Sequence, residues 1–196
     1  YNLVSEKQFR FPIEYGAIRK KVNTFTATGS VSSIVTNKKT NLKIESATIG
    51  SVVDIGYKDA NNFGAVMAPA AAKTIYEHFK DTKRKPSYYD AIITGDLGYI
   101  GKEILTELAE TKGYNIKSNY DDCGASIFDK EKQDTHSGGS GCACIGTVFS
   151  GYFYKQLKEK KMNRILLIAT GALMNSMSSQ QGESIPGIAH AISIEN

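Results

Sequence analysis

Long apolar runs are missing from this chain. The longest clear one, residues 165–169, falls far short of the roughly 20 residues that span a bilayer. Cysteine is scarce and odd in number, with Cys123, Cys142 and Cys144 in 196 residues. That pattern excludes a small disulfide scaffold and favours free thiols in a reducing compartment. Interleaved aromatics are absent from the basic stretches 80–85 and 155–161, so the net charge of +4 and the isoelectric point near 8.8 read as solvated faces and not as a nucleic-acid surface. KQLKEKK at 155–161 is by itself too sparse to draw the chain to an anionic membrane. There is no signal-like amino terminus, and position 1 is Tyr rather than an initiator Met, so targeting information is expected upstream if at all.

What is present describes an ordinary globular chain, 41% hydrophobic and 22% charged, long enough to bury a substantial core as one domain or part of one. Residues 1–17 show no sustained periodicity and read as a loop whose aromatics dock on a neighbour. Residues 24–28 and 29–35, rich in Thr, Val and Ile, read as strand material, and NKKTN at 37–41 reads as a turn before a strand at 42–49; a hairpin is expected there. From 65 to 79 the period becomes helical, with Ala68, Ala71, Ala72, Ile75, Tyr76 and Phe79 on one face and Pro69 tolerable only in a first turn. A strand at 90–94, the turn GDLG at 95–98, and a helix over 99–112 stopped by Gly113 make a β–turn–α unit. A short strand is expected at 125–128, and then a helix over 144–160 with Ile145, Val148, Phe149, Tyr152 and Phe153 inward. The continuous apolar strand RILLIAT at 164–170, a long loop over 171–186 and a closing strand at 188–194 follow. Alternating strands and helices make the class α/β.

The turn at 134–144, DTHSGGSGCAC, carries the most chemistry. Gly138, Gly139 and Gly141 permit positive φ and close approach of a ligand, the following helix offers N–H groups to an anion, and His136 titrates near neutral pH at the lip of that cradle. The competing explanation is a tight strand-to-helix connection. A zinc site from Cys123, His136, Cys142 and Cys144 has the ligands but not the spacing of a common finger or ribbon, and small core cysteines explain them as well. Cys142 or Cys144 as nucleophile with His136 as base is a weaker alternative. GGSG lacks a following Lys-Ser or Lys-Thr, which excludes a phosphate loop. His78 reads as a helix-end residue favourable to the dipole and His190 as a strand residue near the core.

The phrases TGDLG at 94–98, DCG at 122–124, HSGGSGCAC at 136–144, IATGALM at 168–174 and QQGESIPGIAHAISIE at 180–195 resemble the carboxy-terminal half of the stage V sporulation AD family, within the thiolase-like group. NNFGAVMAPAA at 61–71 and EKQFRFPIEYG at 6–16 are similar to it too, so the resemblance spans nearly the whole chain. It implies a thiolase-like half-fold, a mixed sheet covered by helices, within a duplicated α–β–α–β–α arrangement. Residues 1–49 would be the end of the first half and 50–196 the second half.

In the thiolase-like enzymes the nucleophilic cysteine belongs to the first half, and none of the three cysteines here takes its place. His136 falls at the position of a loop histidine of those enzymes. A second histidine would fall at Gly95 and Asp96, and a carboxy-terminal cysteine near Glu183; neither residue type is present there. The resemblance therefore implies a non-enzymatic protein binding dipicolinic acid, with calcium entering as part of the ligand and no other cofactor, for uptake into the developing spore. A thiolase or ketoacyl-synthase-type acyltransferase using acyl-coenzyme A is the alternative, and an interaction-only scaffold a third. The implied ligand-binding residues are His136, Gly138, Gly139, Ser140, Gly95, Asp96 and Glu183, with no metal site. The implied partners are other stage V complex proteins, the first half of the same protein and a second copy in a homodimer. The implied location is the face of the forespore inner membrane, without a transmembrane segment in this chain. Nucleic acid is not an implied partner.

Overall fold

The computed structural model describes residues 20–196, so the reading of 1–17 as a docked loop lies outside the described residues. Seven strands and six α-helices follow in chain order: β1 (Phe25–Thr26), β2 (Lys43–Thr48), α1 (Phe63–Thr82), β3 (Ala91–Thr94), α2 (Gly98–Thr111), β4 (Tyr120–Asp122), α3 (Cys123–Ser126), β5 (Gly139–Ser140), α4 (Cys144–Val148), α5 (Tyr154–Lys158), β6 (Arg164–Ala172), α6 (Ser176–Gln180) and β7 (Gly187–Glu195). Five of the strands form one mixed sheet in the order β2-β7-β6-β3-β4. β3 lies parallel to β4 and β6, while β7 runs antiparallel to β6 and β2.

The apolar run of β6 is continuous because both faces of the sheet are covered. Leu166 and Ile168, with Ile92 of β3 and Ala189 and Ala191 of β7, pack under α1 and α2. Ile165 and Leu167, with Ala91 and Ile93, meet Cys144, Phe153 and Leu157 on the other face. This is the expected mixed sheet between helices. No helix among the described residues is long and apolar enough to cross a membrane.

Several local expectations change. β1 and β2 form no hairpin: β1 pairs in parallel with β5, and β2 joins the far edge of β7. The segment 29–35 forms no ladder, and Ile34 and Val35 stand exposed at 94% and 79%, because no strand among the described residues lies beside it. β2 is hydrogen-bonded into the same sheet as residues 187–195.

α1 starts two residues earlier than its apolar pattern indicates, at Phe63. The Asn62 side chain accepts from the Ala65 N–H at 3.1 Å, and the earlier start leaves Pro69 in the second turn, where its ring removes one helical donor. The strand expected at 125–128 is β4, five residues upstream, and 123–126 is helical because the Asp122 carboxylate accepts the Ala125 N–H. Between α4 and α5 the chain makes a π-helical turn, Phe149–Phe153, with the Tyr154 N–H bonded to the Phe149 carbonyl. The extra residue rotates the later side chains: Phe153 and Leu157 turn inward, and Tyr152, expected inside, is 52% exposed. The loop at 171–186 contains α6.

His78 is fully buried and not a helix-end ornament. Its ring is held between Thr48 Oγ1 of β2 at 2.8 Å and the Tyr89 hydroxyl at 2.6 Å. Burial, with the Arg84 charge nearby, pushes its pKa down. His190 is exposed on β7 rather than near the core, and its Nδ1 accepts the Gly50 N–H.

Candidate functional site

Where β3 and β6 end, their carboxy-terminal turns and the glycine turn line a half-open cavity of about 420 Å³. Its walls are mostly apolar: Phe63 and Met67 from α1, Ile145 from α4, and Ala169 and Ala172 from β6. Its polar end is built around Asp96. Thr170 Oγ1 donates to Asp96 Oδ1 at 2.7 Å; Ser140 Oγ and the Gly141 N–H donate to Oδ2 at 2.8 and 2.9 Å. The donors that the sequence assigns to an incoming anion are thus partly occupied by a carboxylate of the chain itself. Cys142, the one exposed thiol, opens on the same cavity.

Asp96 is held there by a second carboxylate that composition and periodicity do not reveal. Asp122, at the end of β4, is fully buried and accepts from Thr94 Oγ1 (2.6 Å), the Leu97 and Gly98 N–H groups (both 2.9 Å) and the Ala125 N–H (3.0 Å). It pins the 95–98 turn to the start of α3. Burial raises its pKa to about 6, against the opposing pull of those four donors. Tyr120 donates in turn to Thr94 Oγ1, whose proton is committed to Asp122, at 2.8 Å. The local signal for this role was an Asp directly before a small-residue helical turn, which the misplaced strand obscured.

The glycine turn owes its shape to the chain preceding it. Phe25 N–H donates to the Gly138 carbonyl, Ser137 N–H to the Asn23 carbonyl, and Ala27 N–H to the Ser140 carbonyl. Gly138 has φ of 95°, and a Cβ there would lie 2.4 Å from the Gly124 carbonyl oxygen. Gly98 has φ of 67°, and its Cβ would lie 2.2 Å from the Ser137 carbonyl oxygen, so the two turns meet with no room between them.

Of the residues singled out in the sequence, Asp96 and Ser140 line the cavity, and Gly95 and Gly139 support them from buried positions. His136 and Glu183 are not in the lining. The His136 ring, with φ of 48° at its backbone, bonds through Nδ1 to the Lys20 carbonyl at 3.0 Å and faces Asp134 at 3.3 Å. Glu183 is exposed on the loop after α6. Cys123 and Cys144 are buried, which pushes both thiols far above the ordinary range. Among the described residues, no three His, Cys, Asp or Glu side chains converge as a metal site. Phe63, Met67, Ile145 and Thr170 join the site only through the fold.

A fold comparison aligns 82% of this chain with 47% of 3-oxoacyl-acyl-carrier-protein synthase III from Aquifex aeolicus, at 12% identity and a TM-score of 0.42. In sequence the chain is 43% identical over 195 residues to Stage V sporulation protein AD of Bacillus subtilis, covering all of this chain and 57% of that protein's length. The model of the Stage V sporulation protein AD family matches residues 1–195, and the chain belongs to that family.

Proposed function

We propose that this chain supplies one wall of a binding site for dipicolinic acid in a sporulation protein, and that it does so without catalysing a reaction on the ligand. The cavity at Asp96 carries the reading: its aromatic and aliphatic walls suit a flat ring, and its size lies within the roughly 300–1,000 Å³ of small-molecule pockets. Asp96 opposes a free dianion. The calcium chelate of dipicolinate removes that conflict, because the ion offsets the ligand's charge and faces the carboxylate with a cation. His136, whose ring is engaged by Lys20 and Asp134, acts by holding the glycine turn.

The chain spans 57% of the length of its Bacillus subtilis relative, and the remaining portion of such a protein closes the site and covers exposed Ile34 and Val35. Association with other stage V proteins at the forespore inner membrane, and pairing of two copies, belong to the same reading. Cys142 in the cavity wall favours a second reading, acyl transfer from coenzyme A thioesters. Calorimetry on the full-length protein separates the two. Saturable binding of dipicolinate that calcium strengthens and Asp96→Asn weakens about tenfold supports the first. Coenzyme A binding lost in Cys142→Ser, without dicarboxylate binding, replaces it with the second.

A further inference from the structure

The end of the sheet opposite the cavity gathers charge that is scattered in the sequence. The carboxy-terminal ends of α1 and α5 and the first residues of β2 and β6 meet there. Arg84 and Arg164 stack on the same Tyr88 ring, at 4.3 and 4.6 Å, and Lys43 and Arg164 both reach Glu195. Residues 80–85 bring four cations, residues 155–161 four more, and Lys43 and Arg164 make ten. The carboxylates beside them are five, Glu45, Asp81, Asp90, Glu159 and Glu195, and Glu77, a turn back along α1, is offset by its own partner Lys73. That surplus of five exceeds the +4 of the whole chain, so the rest of the molecule is close to neutral. The neighbouring end of α2 does not change the balance, since Lys112 and Lys117 sit with Glu107 and Glu110.

We infer that this basic pole is a docking surface for an anionic lipid bilayer. The eight lysines are all exposed, and only Lys43 and Lys161 among them pair with a carboxylate, Glu195 and Glu159, whereas both guanidiniums are committed to Tyr88 and to Glu45 or Glu195. Diffuse lysine charge suits a sheet of headgroups better than the paired contacts by which arginine reads phosphates individually. Exposed Tyr152, Tyr154 and Ile44 accompany the lysines, and such side chains suit the headgroup–acyl boundary. From Arg164 to Thr170 the strand spans about 20 Å, so a bilayer on this pole leaves the cavity facing the aqueous side. This inference gives a surface to the membrane part of the proposal above and does not depend on the ligand.

The test is co-sedimentation of the full-length protein with phosphatidylcholine vesicles, with and without phosphatidylglycerol, in the absence of dipicolinate. Binding is expected only with the anionic lipid and is lost as salt rises from about 0.1 to 1 M, which shortens the Debye length from about 10 to 3 Å. Replacing Lys155, Lys158, Lys160 and Lys161 with Gln lowers partitioning by about fivefold per lysine, at least a hundredfold together. The same change at Lys20, Lys58, Lys130 and Lys132, at the other end, alters it by no more than about threefold. Equal losses in the two variants overturn the inference, since net charge alone then governs binding; so does binding to neutral vesicles, or tighter binding to duplex DNA of equal phosphate concentration. Unchanged thermal midpoints establish that both variants are folded, and binding of dipicolinate in the lysine variant keeps failure here distinct from failure of the ligand reading.

Discussion

Asp96 shows how a single residue sets both the shape and the charge of the cavity. Replacing it with Ala leaves the Ser140 and Thr170 hydroxyls and the Gly141 N–H without their acceptor, and a loss of about 2 kcal/mol in stability is expected from denaturant unfolding. Asp96→Asn keeps the shape and one acceptor oxygen, so its expected cost is about 1 kcal/mol or less, while under the proposed function the calorimetric affinity for the calcium chelate is expected to fall further. Gly98→Ala tests the junction of the two turns. A methyl group there meets the Ser137 carbonyl at a backbone angle L residues disfavour, and about 2–3 kcal/mol is expected to be lost. Neither effect was legible in the sequence: TGDLG marks a turn, but the partner of each of its atoms comes from residues 24 to 74 positions away.

At the scale of elements, the edge strand β2 is tied to α1 by two side-chain bridges, Thr48 to His78 and Glu45 to Arg84 at 2.7 Å. The Arg84 guanidinium holds the Glu45 carboxyl down at about 2, against an ordinary value of 4.5. A depressed carboxyl contributes stability that is present above pH 4.5 and is lost as pH falls toward 2. Glu45→Gln is therefore expected to lower the thermal midpoint at pH 6 and to leave it nearly unchanged at pH 2. The difference at neutral pH is on the order of 1 kcal/mol, since solvent screens the pair in part. Asp122 works in the opposite sense. Its raised pKa, about 6, means that its protonation adds stability fully present below about 4 and lost as pH rises through 6. Asp122→Asn, followed by urea unfolding across that range, is expected to flatten this part of the profile and to cost more than about 3 kcal/mol at pH 7, because an amide accepts fewer of the four donors. Helices and strands with strong periods, α1, α2 and β6, were readable from apolar spacing alone. β4 and the π-helical turn were not, since each depends on where a neighbouring element places its hydrogen bonds.

Considered whole, the molecule is asymmetric: a cavity at one end of the sheet, a lysine-rich pole at the other, and apolar side chains along 31–55 left uncovered. Ile34, Val35 and Ile49 are 79% or more exposed, and a chain of only these residues is expected to bind a hydrophobic dye and to self-associate at rising concentration. Sedimentation velocity on Ile34→Ser with Val35→Ser is expected to show less association than the parent. The α/β class, the central apolar strand and the glycine turn followed from residue order, because hydrophobic period and turn chemistry act over a few neighbours, whereas Asp96 was singled out only by the family resemblance. Which side chains close the cavity, why His136 faces Lys20 and Asp134 instead of that cavity, and how two weakly basic stretches about 75 residues apart become one surface were decided by tertiary structure. The physical reason is the same in each case: strand order brings together groups whose separation along the chain carries no information about their distance in space.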